Sequence, residues 1–184
     1  MLGTLKKDFK FKKVKNFLTL DEVGLLTNYC KIKHSFNTNS FDIASNRDTF
    51  FYEDPLMQSL LIQKKSLMER ETNLHLFETY SFWRMYTFAA DLKPHKDRPS
   101  CEVSATVNIN SDGTPWSIFM DGNEVFLKPG EGVIYLGCDL EHGRNHFKGD
   151  WCAQVFLHYV DQEGPFKSNR WDNKQFNGID RHEI

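Results

Sequence analysis

The sequence predicts an α+β chain in which two helices come first and then support an antiparallel β core. Three observations carry that expectation. Helical periodicity is confined to the part of the chain before Thr72, short alternating or aromatic runs fill the part after it, and no internal repeat or low-complexity linker separates the two. At 184 residues, with 40% hydrophobic side chains and sixteen Phe, the chain has the material for one packed domain spanning residues 1–184.

The elements follow in order. "LKKDFKFKKVKNF" places six lysines among residues 6 to 15, interleaved with Phe9, Phe11 and Val14. That alternation suits a short edge strand with its lysines in water, where Lys also guards against edge pairing. In "TLDEVGLLTNYCKIKH", Thr19 and Glu22 have the reciprocal spacing of a capping box, and Val23, Leu26 and Cys30 recur at helical intervals, so a first helix is expected. A second begins at "DPLMQSLLIQKKSLMERE", with Asp54 to cap, Pro55 in the first turn and Leu56, Leu60, Leu61, Leu67 and Met68 as the buried stripe. After Thr72, "HLFETYSFWRMYTFAADL" and "CEVSATVNI" read as strands, "PWSIFM" and "EVFLKP" as a hairpin across "DGN", and "GVIYLG" and "CAQVFLHYV" as two more strands. The polar residues 166–184 read as a tail on the domain, with Trp171 and Phe176 as its anchors.

Composition narrows the function classes. A net charge of −2 gives no general attraction to nucleic acid or an anionic membrane. No apolar run approaches the roughly 20 residues of a membrane span, and the lysine-rich start lacks the apolar stretch of a signal peptide. A cytoplasmic protein with neither membrane nor nucleic acid as partner is expected. Cys30, Cys101, Cys138 and Cys152 form no CxxC pair, so they are expected as buried free thiols rather than structural zinc ligands.

The chemistry concentrates in "KPHKDRPSCEVSATVNI". In the strand, Val103, Ala105, Val107 and Ile109 share one face, while Glu102, Ser104, Thr106 and Asn108 share the other, which must meet water or a polar cavity. His95 and Asp97, two apart at the entrance to this strand, can reach one metal ion. A third ligand must come from His142, His146 or His158. His142, just after the strand "GVIYLG" and a short turn, is placed to be held rigidly at the sheet's end. Two histidines and one carboxylate on a β scaffold make the facial triad of non-haem ferrous iron, which leaves three coordination positions open.

"RMYTFAADLKPHKD", "LKPGEGVIYLG", and "EHGR" followed by "GDWCAQVFLHYVD" together resemble the iron(II)/2-oxoglutarate-dependent dioxygenases, in particular small members of the prolyl 4-hydroxylase branch. The resemblance covers about residues 75–165. It implies a double-stranded β-helix (jelly-roll, cupin-like) core with N-terminal supporting helices, Fe(II) held by His95, Asp97 and His142, and 2-oxoglutarate and dioxygen as cosubstrates. It further implies hydroxylation of a C–H bond with release of succinate and carbon dioxide, on a peptide or small molecule, peptidyl proline among them. Tyr86 occupies the place of a cosubstrate-contacting tyrosine. Family members usually carry Arg or Lys nine to eleven residues beyond the distal His, where this chain has Trp151, Cys152 and Ala153. Arg144, two beyond His142, and Arg84, two before Tyr86, offer the planar donor fork that suits a carboxylate, and Arg144 is favoured because it adjoins a ligand that must face the cavity. Thr106 and Asn108 are further candidates for contacts to cosubstrate or substrate. The missing last-strand cation leaves a rival: a double-stranded β-helix protein that binds metal or a small ligand without oxidative turnover.

Overall fold

The computed structural model describes residues 3–36 and 48–172. The helix α1 (Leu20–Phe36) starts at the expected box: the Thr19 backbone N–H donates to Glu22 at 2.8 Å, and the Glu22 N–H donates back to Thr19 Oγ1 at 3.2 Å. Glu22 also takes the buried Lys64 ammonium at 2.7 Å, tying α1 to α2 (Pro55–Thr72). Burial alone would raise the Glu22 pKa; that hydrogen bond and charge bring it below the usual range. Asp54 caps α2 by accepting from the Leu56 N–H at 3.1 Å, with Pro55 in the first turn and Asn73 closing the helix at φ 68°. Leu60, Leu61 and Met68 of the expected stripe are buried, while Leu56 and Leu67 pack at its margin.

Ten strands among the described residues form two antiparallel sheets. In the order β1-β8-β5-β10-β3-β2, the larger sheet contains β1 (Phe11–Val14), β8 (Gly132–Leu136), β5 (Val103–Ser111), β10 (Trp151–Asp161), β3 (Leu76–Thr87) and β2 (Thr49–Tyr52). The smaller, β4-β9-β6-β7, contains β4 (Leu92–His95), β9 (His142–Arg144), β6 (Ile118–Met120) and β7 (Asn123–Val125). The β6–β7 hairpin turns at Asp121 and Gly122, both at positive φ (50° and 77°), as a two-residue turn matched to strand twist requires.

Strand alternation determines what each face buries. Val103, Ala105, Val107 and Ile109 of β5 join Trp83 and Met85 of β3, Val155 and Leu157 of β10, and the helix residues Leu60, Leu61 and Met68 in one apolar cluster. The opposite face, with Ser104, Thr106 and Asn108, is also buried, because the smaller sheet closes over that end. β1 lies at the sheet edge as expected, but not all its lysines are simply solvated: Lys12 pairs with Glu71 and Lys13 with Glu131, each at 2.6 Å. β2 was not expected. Its four residues, TFFY, have no alternation to mark them, and pairing with β3 defines the strand. At the other end, a 3-10 turn over Lys167–Trp171 lays Arg170 on the Phe77 ring at 4.8 Å; Phe176 lies outside the described residues. Among the described residues no helix is long and apolar enough to cross a membrane.

Asp54 also accepts the Tyr29 hydroxyl at 2.6 Å, so one carboxylate both starts α2 and joins it to α1. Asp54→Ala is expected to lower stability by about 1–3 kcal/mol, read from the denaturant midpoint at constant m. A change below about 0.5 kcal/mol, the range of ordinary surface substitutions, would show that the cap does not organise the helix pair.

Candidate metal centre

The pairing of β4 with β9 sets the geometry of the site. Leu92 faces Arg144 and His95 faces His142, so Lys93 and Pro94 on β4 oppose the single Gly143 on β9 and the extra residue makes a bulge. Pro94, which has no N–H to give the ladder, sits inside it. The bulge brings β4 hard against Gly143: a Cβ there would lie 2.7 Å from the Leu92 carbonyl oxygen and 2.9 Å from the Pro94 nitrogen. Glycine is therefore required for the two histidines to face one another, and their ring centroids are 4.4 Å apart.

Each imidazole is oriented by a carbonyl two residues earlier. His95 Nδ1 donates to Lys93 O at 2.8 Å and His142 Nδ1 to Leu140 O at 3.0 Å. A carbonyl accepts only, so both neutral rings carry their proton on Nδ1 and leave Nε2 free as a ligand. Both Nε2 atoms stand 3.6 Å from the same oxygen, Asp97 Oδ1. Adjacent ligands on a six-coordinate ion with arms near 2.1 Å stand roughly 3 Å apart, so a small inward movement would close the set. Asp97 is pinned by its own N–H, which donates to Gly137 O at 2.8 Å. Burial opposes its charge, but the two imidazoles facing it, which donate through Nε2 when protonated, outweigh that and hold its pKa well below the usual carboxylate range. His95 is shifted upward, chiefly by Asp97.

Strand register maps the rest of the inner face. Along β3, the side chains of Tyr80, Phe82, Arg84 and Tyr86 alternate inward; Phe156 lies opposite Phe82 on β10, Gln154 opposite Arg84 and Cys152 opposite Tyr86. Thr106 and Asn108 on β5 lie opposite Phe156 and Gln154. A cavity of about 300 Å³ runs from His95, Asp97 and His142 past Tyr80, Phe82, Phe156 and Arg84 to Tyr86. Thr106 is fully buried, with its hydroxyl 3.5 Å from that of Tyr135. Asn108 lines a separate small hollow beside Trp116, where its amide donates to Leu127 O while its Oδ1 has no partner.

The two candidate cations differ in their company. Arg84 lines the cavity and stacks over Tyr86 at 4.4 Å, but its Nε and Nη2 are engaged by the buried Asp48. Arg144 is buried and pairs with no carboxylate among the described residues. Its Nη1 donates to Trp116 O at 2.7 Å, its Nη2 to Gln154 Oε1 at 3.2 Å, and its Nε has no acceptor. Burial lowers its pKa, the sign of a guanidinium lacking a counter-ion. Both arginines flank Tyr86, whose hydroxyl burial keeps protonated and which meets Trp116 edge-on at 4.8 Å.

Of the other histidines, His146 is exposed on a loop with Nδ1 3.2 Å from Ala89 O. His158 is a buried strand residue whose Nδ1 lies 2.8 Å from Ser104 Oγ. Arg98 reaches Tyr52 and Asp172, each at 2.8 Å. Sequence reasoning missed the aromatic lining of Phe82 and Phe156, although alternation on β3 and β10 could have given it. The Asp48 partner of Arg84 had no signal, since nothing in spacing joins residues so far apart.

Two sheets, helices on the outer face of the larger, and this strand order define the double-stranded β-helix of the iron and 2-oxoglutarate dioxygenases, and the chain has that fold. The similar solved structures include the epimerase SnoN in complex with Fe3+, alpha ketoglutarate and nogalamycin RO, with TM-score 0.67, 10% identity, and 93% of this chain and 88% of that one covered. EctD from S. alaskensis with 2-oxoglutarate and 5-hydroxyectoine gives 0.67, 14%, and 83% and 72%. A Pseudomonas putida prolyl-4-hydroxylase gives 0.60, 18%, and 84% and 94%. No protein-family model and no curated protein matches the sequence.

Two outcomes test the geometry. Gly143→Ala should weaken metal binding on the order of 10- to 100-fold, the range for losing groups that orient ligands, with the fold retained by circular dichroism; unchanged affinity would mean that β4 and β9 need not approach so closely. In pH titrations, protonated His95 next to Asp97 stabilises the metal-free protein below the ordinary imidazole pKa near 6.5, and this contribution disappears as pH rises through the raised value. Divalent-metal affinity should run the opposite way, increasing with pH over the same window because the proton and the metal compete for Nε2.

Proposed function

We propose that this protein is a non-haem Fe(II)- and 2-oxoglutarate-dependent oxygenase that hydroxylates a C–H bond of a peptide or small-molecule substrate, with succinate and carbon dioxide as co-products. The observation that carries the reading is the convergence of two histidine Nε2 atoms on one carboxylate oxygen at the head of a cavity. His95, Asp97 and His142 would hold the metal from one side, leaving the cavity side open to other ligands. Bound iron would supply the activation of dioxygen that no side chain can provide.

The chain's own residues hold and orient. Arg144 presents a buried, uncompensated positive charge two residues along β9 from His142, an advance of roughly 6–7 Å on an extended strand, about the reach of a five-carbon diacid held at its other end. A bound far carboxylate would give the orphan Arg144 Nε its acceptor and the guanidinium its counter-charge. Tyr86 offers a phenolic donor at the same level. Tyr80, Phe82 and Phe156 exclude water from the cavity wall. Peptidyl proline is one substrate of a size for this apolar lining. The free thiols Cys30, Cys101, Cys138 and Cys152 fit a reducing compartment such as the cytoplasm.

Anaerobic addition of Fe(II) and then 2-oxoglutarate should produce the weak visible charge-transfer band of a chelated keto acid, absent in His142→Ala. Metal binding with no band would overturn the oxygenase reading in favour of a β-helix protein that binds metal without oxidative turnover. In the same titration Arg144→Gln should lose about 2–5 kcal/mol of 2-oxoglutarate affinity, a rise in Kd of roughly 30-fold or more, with Fe(II) affinity unchanged. A loss of that size in Arg84→Gln instead would move the anchor to Arg84.

A further inference from the structure

A second cluster of metal-ligating side chains adjoins the first, sharing Asp97 with it, and His158 lines the same cavity. Asp97, Cys101 and His158 bring a carboxylate oxygen, a thiol sulfur and a ring nitrogen within 4.8 Å of one another. Asp97 belongs to both groups. Its Oδ1 faces the two imidazoles, while its Oδ2 lies 3.4 Å from Ser104 Oγ on the side of Cys101 and His158. Cys101 and His158 are 2% and 5% exposed, so the cluster is interior rather than a chance surface grouping.

We infer that Asp97, Cys101 and His158 form a second cation site, selective for a soft divalent ion of the zinc class and bridged to the first by the Asp97 carboxylate, one oxygen to each ion. The chemistry of the donors separates the two positions. Nitrogen and oxygen in the triad suit ferrous iron; adding sulfur favours zinc or its thiophilic relatives.

The surroundings prepare the donors. Ser104 Oγ joins three of the groups, lying 2.8 Å from His158 Nδ1, 3.4 Å from Asp97 Oδ2 and 3.0 Å from the Cys101 carbonyl, so it holds the ring and the carboxylate in register as supporting hydrogen bonds do at metal sites. The Tyr80 hydroxyl lies 2.9 Å from Cys101 Sγ and can donate to the thiolate that forms when the ion displaces the thiol proton to solvent. The Tyr80 ring packs on His158 at 4.5 Å, limiting its rotation.

Neither group needs the other to bind, and the second does not depend on the oxygenase reading. Cobalt(II) tests it, because a sulfur-to-cobalt charge-transfer band in the near ultraviolet requires a thiolate ligand and the triad contains none. The full-length protein titrated anaerobically with Co2+, without 2-oxoglutarate, should develop that band. It should persist in His95→Ala and in Cys138→Ser, disappear in Cys101→Ser, and need at least tenfold more cobalt in His158→Gln. No band at saturating cobalt, or a band that survives Cys101→Ser, overturns the proposal. Should Cys101→Ser fail to fold, an unshifted cobalt titration in His158→Gln overturns it as well. Loss of the iron and 2-oxoglutarate signal with the cobalt–sulfur band intact would refute the oxygenase reading alone.

Discussion

Everything in this structure depends on a sheet buried on both faces. An antiparallel sheet commonly turns one face to water, and its polar residues then need no partners. Here the outer face of β5, β10 and β3 packs under α1 and α2, while the smaller sheet closes over the inner one. Ser104, Thr106, Asn108, Gln154 and His158 are therefore polar and buried together. Buried polar groups cost free energy unless they are bonded. The inner face must either satisfy them internally or keep them for a ligand, and it does both: Ser104 Oγ meets one ring nitrogen of His158, whereas Asn108 Oδ1 and Arg144 Nε have no partner.

Charge follows the same division. Asp97 faces the imidazoles of His95 and His142, and Arg84 is neutralised by Asp48. Arg144 is the exception among the charged groups of this face, an enclosed cation with two neutral acceptors and no carboxylate. A fold maintained only for its stability would gain by replacing such a group with an apolar one. A dianionic ligand would complete it; Arg84, which lines the cavity, already has Asp48.

What was legible in the sequence was whatever depends on local spacing. The Thr19–Glu22 box, the Asp54–Pro55 start, the Asp121–Gly122 hairpin and the alternation of β5 are all short-range patterns, and all are present. Contacts across the fold were less legible. β2 is a strand because β3 offers it an edge, and its sequence contains no separate signal. Asp48 and Arg84 meet through that same pairing region, and Ser104 and His158 through the register of β5 with β10. The His95–Asp97 pair could be read from spacing, but facing His95 with His142 took the Pro94 bulge and Gly143, features of two strands far apart in the chain.

The missing cation on the last strand illustrates the difference between where a residue is rooted and where its charge arrives. β9 and β10 belong to opposite sheets, and Arg144 is rooted on β9. Its guanidinium nevertheless ends on Gln154 of β10 and covers Trp116 at 4.7 Å. A long side chain crossing the interior delivers positive charge beside the last strand from the facing wall. The positions where a cation is usually rooted can then hold Trp151, Cys152 and Ala153, of which Cys152 Sγ accepts from the Gln154 amide at 3.0 Å. A sequence pattern that counts residues from the distal histidine records the root alone. Under the proposed oxygenase reading the electrostatic requirement would concern the charged end, which a chain could supply from either sheet.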